Sequence, residues 1–579
     1  MRKVSAYIRK YWYMYAIALV CMVIQVSLDM LSPQVTASLI DDVLGKRQVD
    51  LLPKLLLLIF IIGAGRAIFG YLKEFLFDFT SSKIGNGIRQ TLFTHIQSLS
   101  VDYFDRTNTG ELMSRVKDDV DKVWNATGYV GMLVMEVTIH TTIILFCMYR
   151  LNKRLFIIPV VVMPLVACMA ILLENRLGKV YDEISEENAA LNTVAQENLA
   201  GVHTVKAFAR EPFEIKKFLS HNQRYYELNM RQSKVLVRYQ PLFQLISRLL
   251  PILAVIYGGF LVIDGEITLG TLGAFSEYCT NIVWPMEMLG WLLNDLASGV
   301  ASNRKIQRIY AQKPTITEPE NPQPIRQPEK AVIEFDHVTW KVEDKTILSN
   351  VSFTLEPGKT LGIMGATGSG KTSIVQLLMR LFDVTEGEIR IGGTDIRKLS
   401  LEELRRFTAP VLQDVFLFSD TVRANVSMGC KEQPSDEEIW AALDEACATE
   451  FVREFRSGLD TLIGERGIGL SGGQKQRISM ARAFVRKAHL LVLDDSTSAL
   501  DMETEREIQG ILARQKEQTR MIIAHRISAV CAADEILVLE DGRIRERGTH
   551  RELMEKKGYY YETYLSQYGE EEGRERLCQ

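Results

Sequence analysis

Residues 365–372 of this 579-residue chain read Gly365-Ala366-Thr367-Gly368-Ser369-Gly370-Lys371-Thr372, placing glycine, lysine and hydroxyl at the spacing G-x-x-x-x-G-K-[ST]. Glycines at these places let the backbone wrap so that successive N–H groups and a helix N-terminus point at phosphate oxygens. Lys371 is then expected to reach the β- and γ-phosphates, and Thr372 to offer its hydroxyl to Mg²⁺. The context agrees, because LGIMG before the loop reads as a short buried strand and IVQLLMRLF after it as a helix. Further on, Leu490-Leu491-Val492-Leu493-Asp494 is an apolar strand ending in a carboxylate, as a magnesium shell beside the phosphates requires. Together these residues imply binding of a nucleoside triphosphate with Mg²⁺.

Between the two elements lies Leu470-Ser471-Gly472-Gly473-Gln474. With Gln413 in PVLQD, Ser498-Ala499-Leu500-Asp501 and His525 in IIAHR, the motifs and their order across 332–560 resemble the ATP-binding cassette family in its exporter branch. The membrane half adds YFDRTNTGELMSRVKDDV at 103–120 and QENLAGVHTVKAFAREP at 196–212, similar to the cytoplasmic segments of exporters with long intracellular helices, so the resemblance covers nearly the whole chain. It implies cassettes paired head to tail, each ATP lying between the phosphate loop of one and the LSGGQ segment of the other. Ser471 and the backbone at Gly472 and Gly473, at a helix N-terminus, would donate to the γ-phosphate across that interface, with Gln474 and Asp501 beside the nucleotide. By the same resemblance Gln413 contacts Mg²⁺ or the attacking water, His525 hydrogen-bonds the γ-phosphate, and Glu465 in GERG contacts the intracellular helices.

Two residues depart from the family's pattern. After the strand-end Asp the family normally has Glu, which polarises the attacking water; here Asp495 follows. Its carboxylate is expected to sit about 1.5 Å further back, one C–C bond, and a misplacement of about 1 Å can cost roughly 10²-fold in rate. Val342 stands where the family usually stacks an aromatic on adenine, with Trp340 two residues earlier on the same strand face as a possible substitute or a plain core residue. An intact signature beside a weakened carboxylate suggests a heterodimer. This chain's own site is then slow, while its Ser471–Gln474 segment completes the site of a partner half-transporter.

These residues need a scaffold in two parts. Six apolar stretches, near 12–38, 51–77, 127–149, 155–174, 241–263 and 269–296, are each long enough for a hydrocarbon core about 30 Å thick. Basic residues precede the first stretch, as in a signal peptide, but it runs on without a small-residue cleavage site and reads as an uncleaved first membrane helix. Polar segments 78–126 and 175–240 carry helical patterning and are expected as intracellular extensions. Residues 81–123 hold six Lys/Arg and 175–240 hold ten, against two in 39–50 and none in 264–268, which puts the long segments and the N-terminus in the cytoplasm. Arg150, Lys153 and Arg154 dissent from the external side. Residues 312–330, with five prolines and no apolar period, read as an extended linker between a transmembrane domain (1–311) and a cassette domain (331–579).

The expected fold is a membrane all-α bundle of six long transmembrane helices, exporter type, fused to an α/β P-loop nucleotide-binding domain. A formal net charge of −4 gives no reason to invoke nucleic acid. Eight scattered cysteines form no CxxC pair and read as reduced thiols. Arg66, Glu136, His140, Arg248, Glu277 and Glu287 lie inside apolar stretches, where ionisable groups are costly. Glu136 and His140, four apart on one helix face, are expected to be able to pair. The resemblance implies that Glu277 and Glu287 face a translocation cavity; the alternatives are pairing with Arg66 or Arg248, or placement near a headgroup. The function expected is ATP-driven export of a hydrophobic or amphipathic small molecule, lipid or peptide across the cytoplasmic membrane, by alternating access within a dimer. Alternatives are an ATP-gated subunit of a channel-like complex and a homodimeric lipid flippase. A soluble cassette ATPase is excluded by the fused spans, and an importer ordinarily keeps its spans on separate chains.

Overall fold

The computed structural model describes residues 2–569 apart from 465, 466, 468 and 516, in two units. Residues 2–98 and 107–313 form the first; residues 99–106 and 314–569 form the second.

Apolar runs and their polar continuations make single long helices in the first unit, because nothing in their sequences stops them at a membrane surface. After α1 (Arg2–Lys10), α2 runs Trp12–Ser38 and α3 Leu52–Gln97. The short pieces α5 (Thr109–Ser114) and α6 (Val120–Thr127) lead to α7 (Tyr129–Leu151). Then come α8 (Ile157–Ala200), α9 (Val202–Ala207), α10 (Glu211–Ile263), α11 (Leu269–Asn281) and α12 (Val283–Ala311). Five helical runs among the described residues are long and apolar enough to cross a membrane. The sixth stretch, expected unbroken over 269–296, is interrupted at Ile282. Pro285 supplies the reason, since it has no N–H to donate and its ring crowds the carbonyl of Asn281.

Leu56 to Ile61 on α3 are all exposed within the unit, as lipid-facing side chains are. Met22, Phe77, Ile144, Phe275 and Tyr278 are fully buried and form part of the bundle's core. The polar extensions are joined by ion pairs: Glu187 of α8 accepts from His221 (2.6 Å) and Arg224 (3.2 Å) of α10, and Glu183 from Arg231 (2.9 Å). Arg154, one of the dissenting charges, is paired with Glu266 of the 264–268 loop.

The second unit begins with α4 (Val101–Arg106), which belongs with the cassette by its contacts. The Ile316 N–H donates to Ser100 Oγ (2.9 Å), and Arg106 lies 3.9 Å from Glu343. The proline-rich linker is also part of this unit from Pro314 onward, so the domain boundary sits near 313. Within 312–330, expected as an extended linker, Ile325 is buried among Ile333, Phe335 and Leu399, and Gln323 bridges Leu399. One apolar side chain in a segment of prolines is enough to dock it.

Two sheets follow. β1 (Ile333–Val342), β2 (Lys345–Leu355), β4 (Glu386–Ile391) and β5 (Thr394–Asp395) form an antiparallel sheet in the order β2-β1-β4-β5. The other contains β3 (Thr360–Gly365), β6 (Thr408–Val411), β7 (Leu490–Asp494), β8 (Thr519–Ile523), β9 (Glu535–Glu540) and β10 (Arg543–Gly548). Its order is β10-β9-β3-β8-β7-β6, parallel except for the edge strand β10. β7 and the central β3 are wholly or nearly wholly buried, as a strand covered on both faces must be, which explains their unbroken apolar runs. The remaining helices are α13 (Lys371–Leu378), α14 (Leu401–Phe407), α15 (Val422–Ser427), α16 (Asp436–Glu445) and α17 (Thr449–Glu454), then α18 (Gly472–Phe484), α19 (Met502–Arg514), α20 (His550–Lys556) and α21 (Tyr559–Tyr568).

Candidate functional site

Parallel strands deliver their C-terminal ends to one edge of a sheet, and ligands bind there. β3 ends in the glycine loop, β7 in Asp494 and Asp495, and β8 just before His525. Register holds them level, with Gly362 opposite Ile522 and Asp494 opposite Ile523. Gln413, exposed, lies two residues past the end of β6, whose Val411 stands opposite Leu493.

The glycines of the loop are there for space. At Gly365 a Cβ would meet the Leu539 carbonyl at 2.3 Å, and at Gly370, with φ of +95°, it would meet Leu348 at 2.7 Å. Gly368 also takes a positive φ, and Ser369 Oγ is buried without a hydrogen-bond partner among the described residues. Gly370 caps α13, so that Lys371 and Thr372 open the helix. Lys371 is buried and donates to the carbonyls of Gly365 (3.0 Å) and Ala366 (2.8 Å).

Lys371, Asp494, Asp495 and His525 share one electrostatic environment. Burial lowers the Lys371 pKa, opposed by Asp494 and Asp495. Burial raises Asp494, helped by Asp495 and opposed by Thr372 and Lys371. His525 is held below its ordinary value by burial and by the Lys371 cation, against Asp495. The imidazole is therefore neutral at neutral pH, able to donate from one nitrogen and accept at the other.

The donor set suits magnesium. Asp494 Oδ2 is buried without a hydrogen-bond partner among the described residues, and the Thr372 hydroxyl acts on the same carboxylate. Both are hard oxygen ligands. Among the described residues no group of three acidic, His or Cys side chains is placed to hold a metal, so phosphate oxygens and water must complete the shell, the usual arrangement for Mg²⁺ at a phosphate site.

Ser471 is the N-cap of α18 in a capping box: its Oγ accepts from Gln474 N–H (3.3 Å) and Gln474 Oε1 accepts from Ser471 N–H (2.9 Å). Gln474 is thus engaged in the cap. The Ser471 hydroxyl proton remains to donate outward, beside the N–H groups of Gly472 and Gly473 that open the helix. Gly473 lies against Ala499, where a Cβ would come within 3.1 Å of that residue's carbonyl. Gln476 ties the same segments together, its Nε2 donating to Ser498 Oγ (3.3 Å) and its Oε1 accepting from Ala499 N–H (3.1 Å). Asp501, expected beside the nucleotide, caps α19 by accepting from Thr504 N–H (2.9 Å) and hydroxyl (3.0 Å).

Trp340 requires a correction. It is 8% exposed, its ring 5.1 Å from that of Phe382, so its faces belong to the core and it is no platform for adenine. Val342, 39% exposed at the strand's end, leaves that edge without an aromatic of β1. Glu465 lies outside the described residues. Sequence reasoning missed Glu505, which is 4% exposed and accepts from Arg526 (3.0 Å), Ser528 (3.3 Å) and Thr497 (3.3 Å). Its only signal was a carboxylate on the apolar face of α19.

In the membrane unit Glu136 and His140 do not pair. Glu136 takes both its bonds, each 2.8 Å, from Lys73 of α3, which is 3% exposed and finds its partner there. His140 Nε2 faces Asp29 of α2 (3.4 Å), which also binds Arg66 (2.7 Å). Arg66 is accordingly engaged with neither Glu277 nor Glu287; Glu277 accepts from Ser32 (3.5 Å). Asp29 and Lys73 belong with the ionisable residues of the spans.

Fold and site together define a membrane-spanning ATPase of the cassette type. The family model of the ABC transporter transmembrane region matches residues 15–286, and that of the ABC transporter matches 348–498. The chain is 35% identical to the uncharacterized ABC transporter ATP-binding protein YknU of Bacillus subtilis (strain 168) over 98% of this chain and 97% of that one. It is 32% identical to the ATP-dependent lipid A-core flippase of Syntrophus aciditrophicus (strain SB), over 97% of this chain and 94% of that one. A solved bacterial Atm1-family ABC exporter with ATP bound superposes with a TM-score of 0.82 at 25% identity, covering 97% of this chain and 99% of the other. The chain belongs to the ABC transporter family, as an exporter with its membrane and ATP-binding domains fused. It is a multi-pass membrane protein with a cytoplasmic ATPase domain that binds ATP.

Proposed function

We propose that this chain is one half of a heterodimeric exporter of a hydrophobic or amphipathic substrate, whose own ATP site turns over slowly and whose signature segment completes a faster site on its partner. The observation that carries the reading is Asp495. Its N–H donates to the Ile523 carbonyl of β8 (2.8 Å), and its own carbonyl accepts from Ser498 Oγ (2.9 Å). Pinned at both ends, the backbone has little room to advance and make up for the missing methylene, so the carboxylate stays set back from the water that a glutamate would reach.

In this reading Lys371 and the N–H groups of the glycine loop hold the phosphates, Asp494 and Thr372 supply the chain's ligands to Mg²⁺ with Gln413 at the same edge, and neutral His525 hydrogen-bonds the γ-phosphate. Asp494 and Thr372 would hold magnesium there, and its charge would offset the negative charge developing on the phosphates. Ser471 with Gly472 and Gly473 donates to the nucleotide held by the partner. Closure of the cassettes is felt through α4, which packs on the cassette, and drives alternating access because ATP binds the closed state better. Expression of this chain alone tests the proposal: weak, transport-uncoupled ATP hydrolysis is expected, and a stable homodimer with brisk, transport-coupled turnover overturns it. A homodimeric lipid exporter is the second reading, favoured by the relative named as a lipid A-core flippase.

A further inference from the structure

His525 lies just past β8 on a segment outside helix and strand, and three anchors hold that segment. Before it, the Ala524 N–H donates to the Ile363 carbonyl of β3 (3.2 Å). After it, Arg526 donates to Glu505 (3.0 Å). The third anchor comes from the C-terminal helix α21. Gln567 Nε2 donates to the His525 carbonyl (2.8 Å) while its Oε1 accepts from the Ile527 N–H (3.0 Å).

One primary amide thus clamps the backbone on both sides of Arg526. Its orientation is set by its partners, because turning it over would face donor to donor and oxygen to oxygen. The helix is a firm mount: Tyr560 and Tyr564 are buried with Ile527, Val530 and Leu553 in a cluster of their own. The first two anchors fix Ala524 and the Arg526 side chain, whereas among the described residues the Gln567 amide alone donates to the carbonyl of His525 itself.

We propose that Gln567 is a positioning residue for His525, holding its imidazole where the γ-phosphate of ATP binds. The proposal rests on the assignment of His525 to that phosphate made above. It connects the far C-terminal helix to discrimination between ATP and ADP.

The test uses the full-length protein in its assembled form, with photoreactive ATP competed by unlabelled ATP or ADP and labelling quantified on this chain. Gln567 is exposed, and its replacement leaves the tyrosines that dock α21 in place. Gln567→Leu is expected to reduce the preference for ATP over ADP about threefold or more, the range of one or two ordinary hydrogen bonds, with ADP affinity unchanged. Gln567→Glu, which keeps an acceptor for Ile527 but cannot donate to the His525 carbonyl, is expected to do the same. In a His525→Ala background Gln567→Leu should have no further effect. An unchanged ATP-over-ADP ratio, an equal loss of both affinities, or an effect that adds to His525→Ala overturns the proposal. If His525→Ala itself leaves the ratio unchanged, the γ-phosphate assignment fails and the positioning role falls with it, whatever Gln567→Leu does.

Discussion

At Asp495 the proposed reading turns on one methylene, the difference between aspartate and the glutamate of the family's pattern. If the carboxylate falls short, the bonds from Ile523 and Ser498 make the shortfall a matter of side-chain length, so restoring the length should restore the reach. Asp495→Glu in the assembled protein is expected to raise turnover at this chain's site by about tenfold or more, given that roughly 1 Å of displacement costs up to about 10²-fold. Site-resolved phosphate release would check it, and no change would end the slow-site reading. A neighbouring residue carries a pH signature. His525 is depressed below its usual value of 6.5 by burial first and Lys371 second. The unfolded chain therefore takes up this proton at a higher pH than the folded one, so stability is full above about pH 6.5 and falls as pH drops toward the lower native value. His525→Gln removes the dependence. Melting temperatures of the two proteins should converge or cross in favour of the variant between pH 7 and 5.5, and a gap constant with pH would contradict the depressed value. At this scale the phosphate loop was legible because its spacing is unusual, whereas Trp340 was legible only as two alternatives, a platform for adenine or a plain core residue, of which the second holds. The family's aromatic pointed to the right strand, but only the packing of Phe382 shows that the ring is covered.

Among the elements, α3 and α7 are joined by a bond that hydropathy does not reveal. Lys73 and Glu136 are both largely buried and meet at 2.8 Å, so each is the other's compensating partner. Removing one partner leaves a buried charge uncompensated, at a cost of about 3–5 kcal/mol, while replacing both with apolar residues is often neutral. Lys73→Met alone should therefore lower the thermal stability of the purified protein markedly, and Lys73→Met with Glu136→Leu should recover most of the loss. Equal damage in the single and double variants would show that the pair does more than hold the helices. The four-residue spacing of Glu136 and His140 suggested a pair along α7, and the spacing does put them on one face. What that face meets is decided by neighbouring helices, which bring Lys73 to 2.8 Å from Glu136 and Asp29 to 3.4 Å from His140. Helix ends were legible only where the apolar run and the helix stop together. Trp12–Ser38 follows its apolar run, and the break at Ile282 has its cause in Pro285, a local signal that a hydropathy window averages away.

For the whole molecule the proposed function turns on asymmetry between what the chain keeps and what it gives. In that reading its phosphate loop, Asp494 and His525 serve the nucleotide it holds, while Ser471 and the start of α18 have a hydroxyl proton and two helix N–H groups to offer to a partner. The order of motifs made the division of the chain legible. It did not reveal that residues 99–106 belong with the cassette, because that depends on contacts such as Ile316 with Ser100, between residues more than two hundred positions apart. If the two ATP sites differ, substitutions at the two faces must have unequal effects. Ser471→Arg places bulk and positive charge where a partner's nucleotide would sit and should abolish most of the steady-state hydrolysis of the assembled pair. Lys371→Ala strikes only the slow site and should leave a substantial part of that hydrolysis, while removing nucleotide retained by this chain. In a homodimer every site contains both residues, and the two substitutions would silence hydrolysis alike. Measuring the two variants side by side, in the complex purified through this chain, separates those outcomes without knowledge of the substrate.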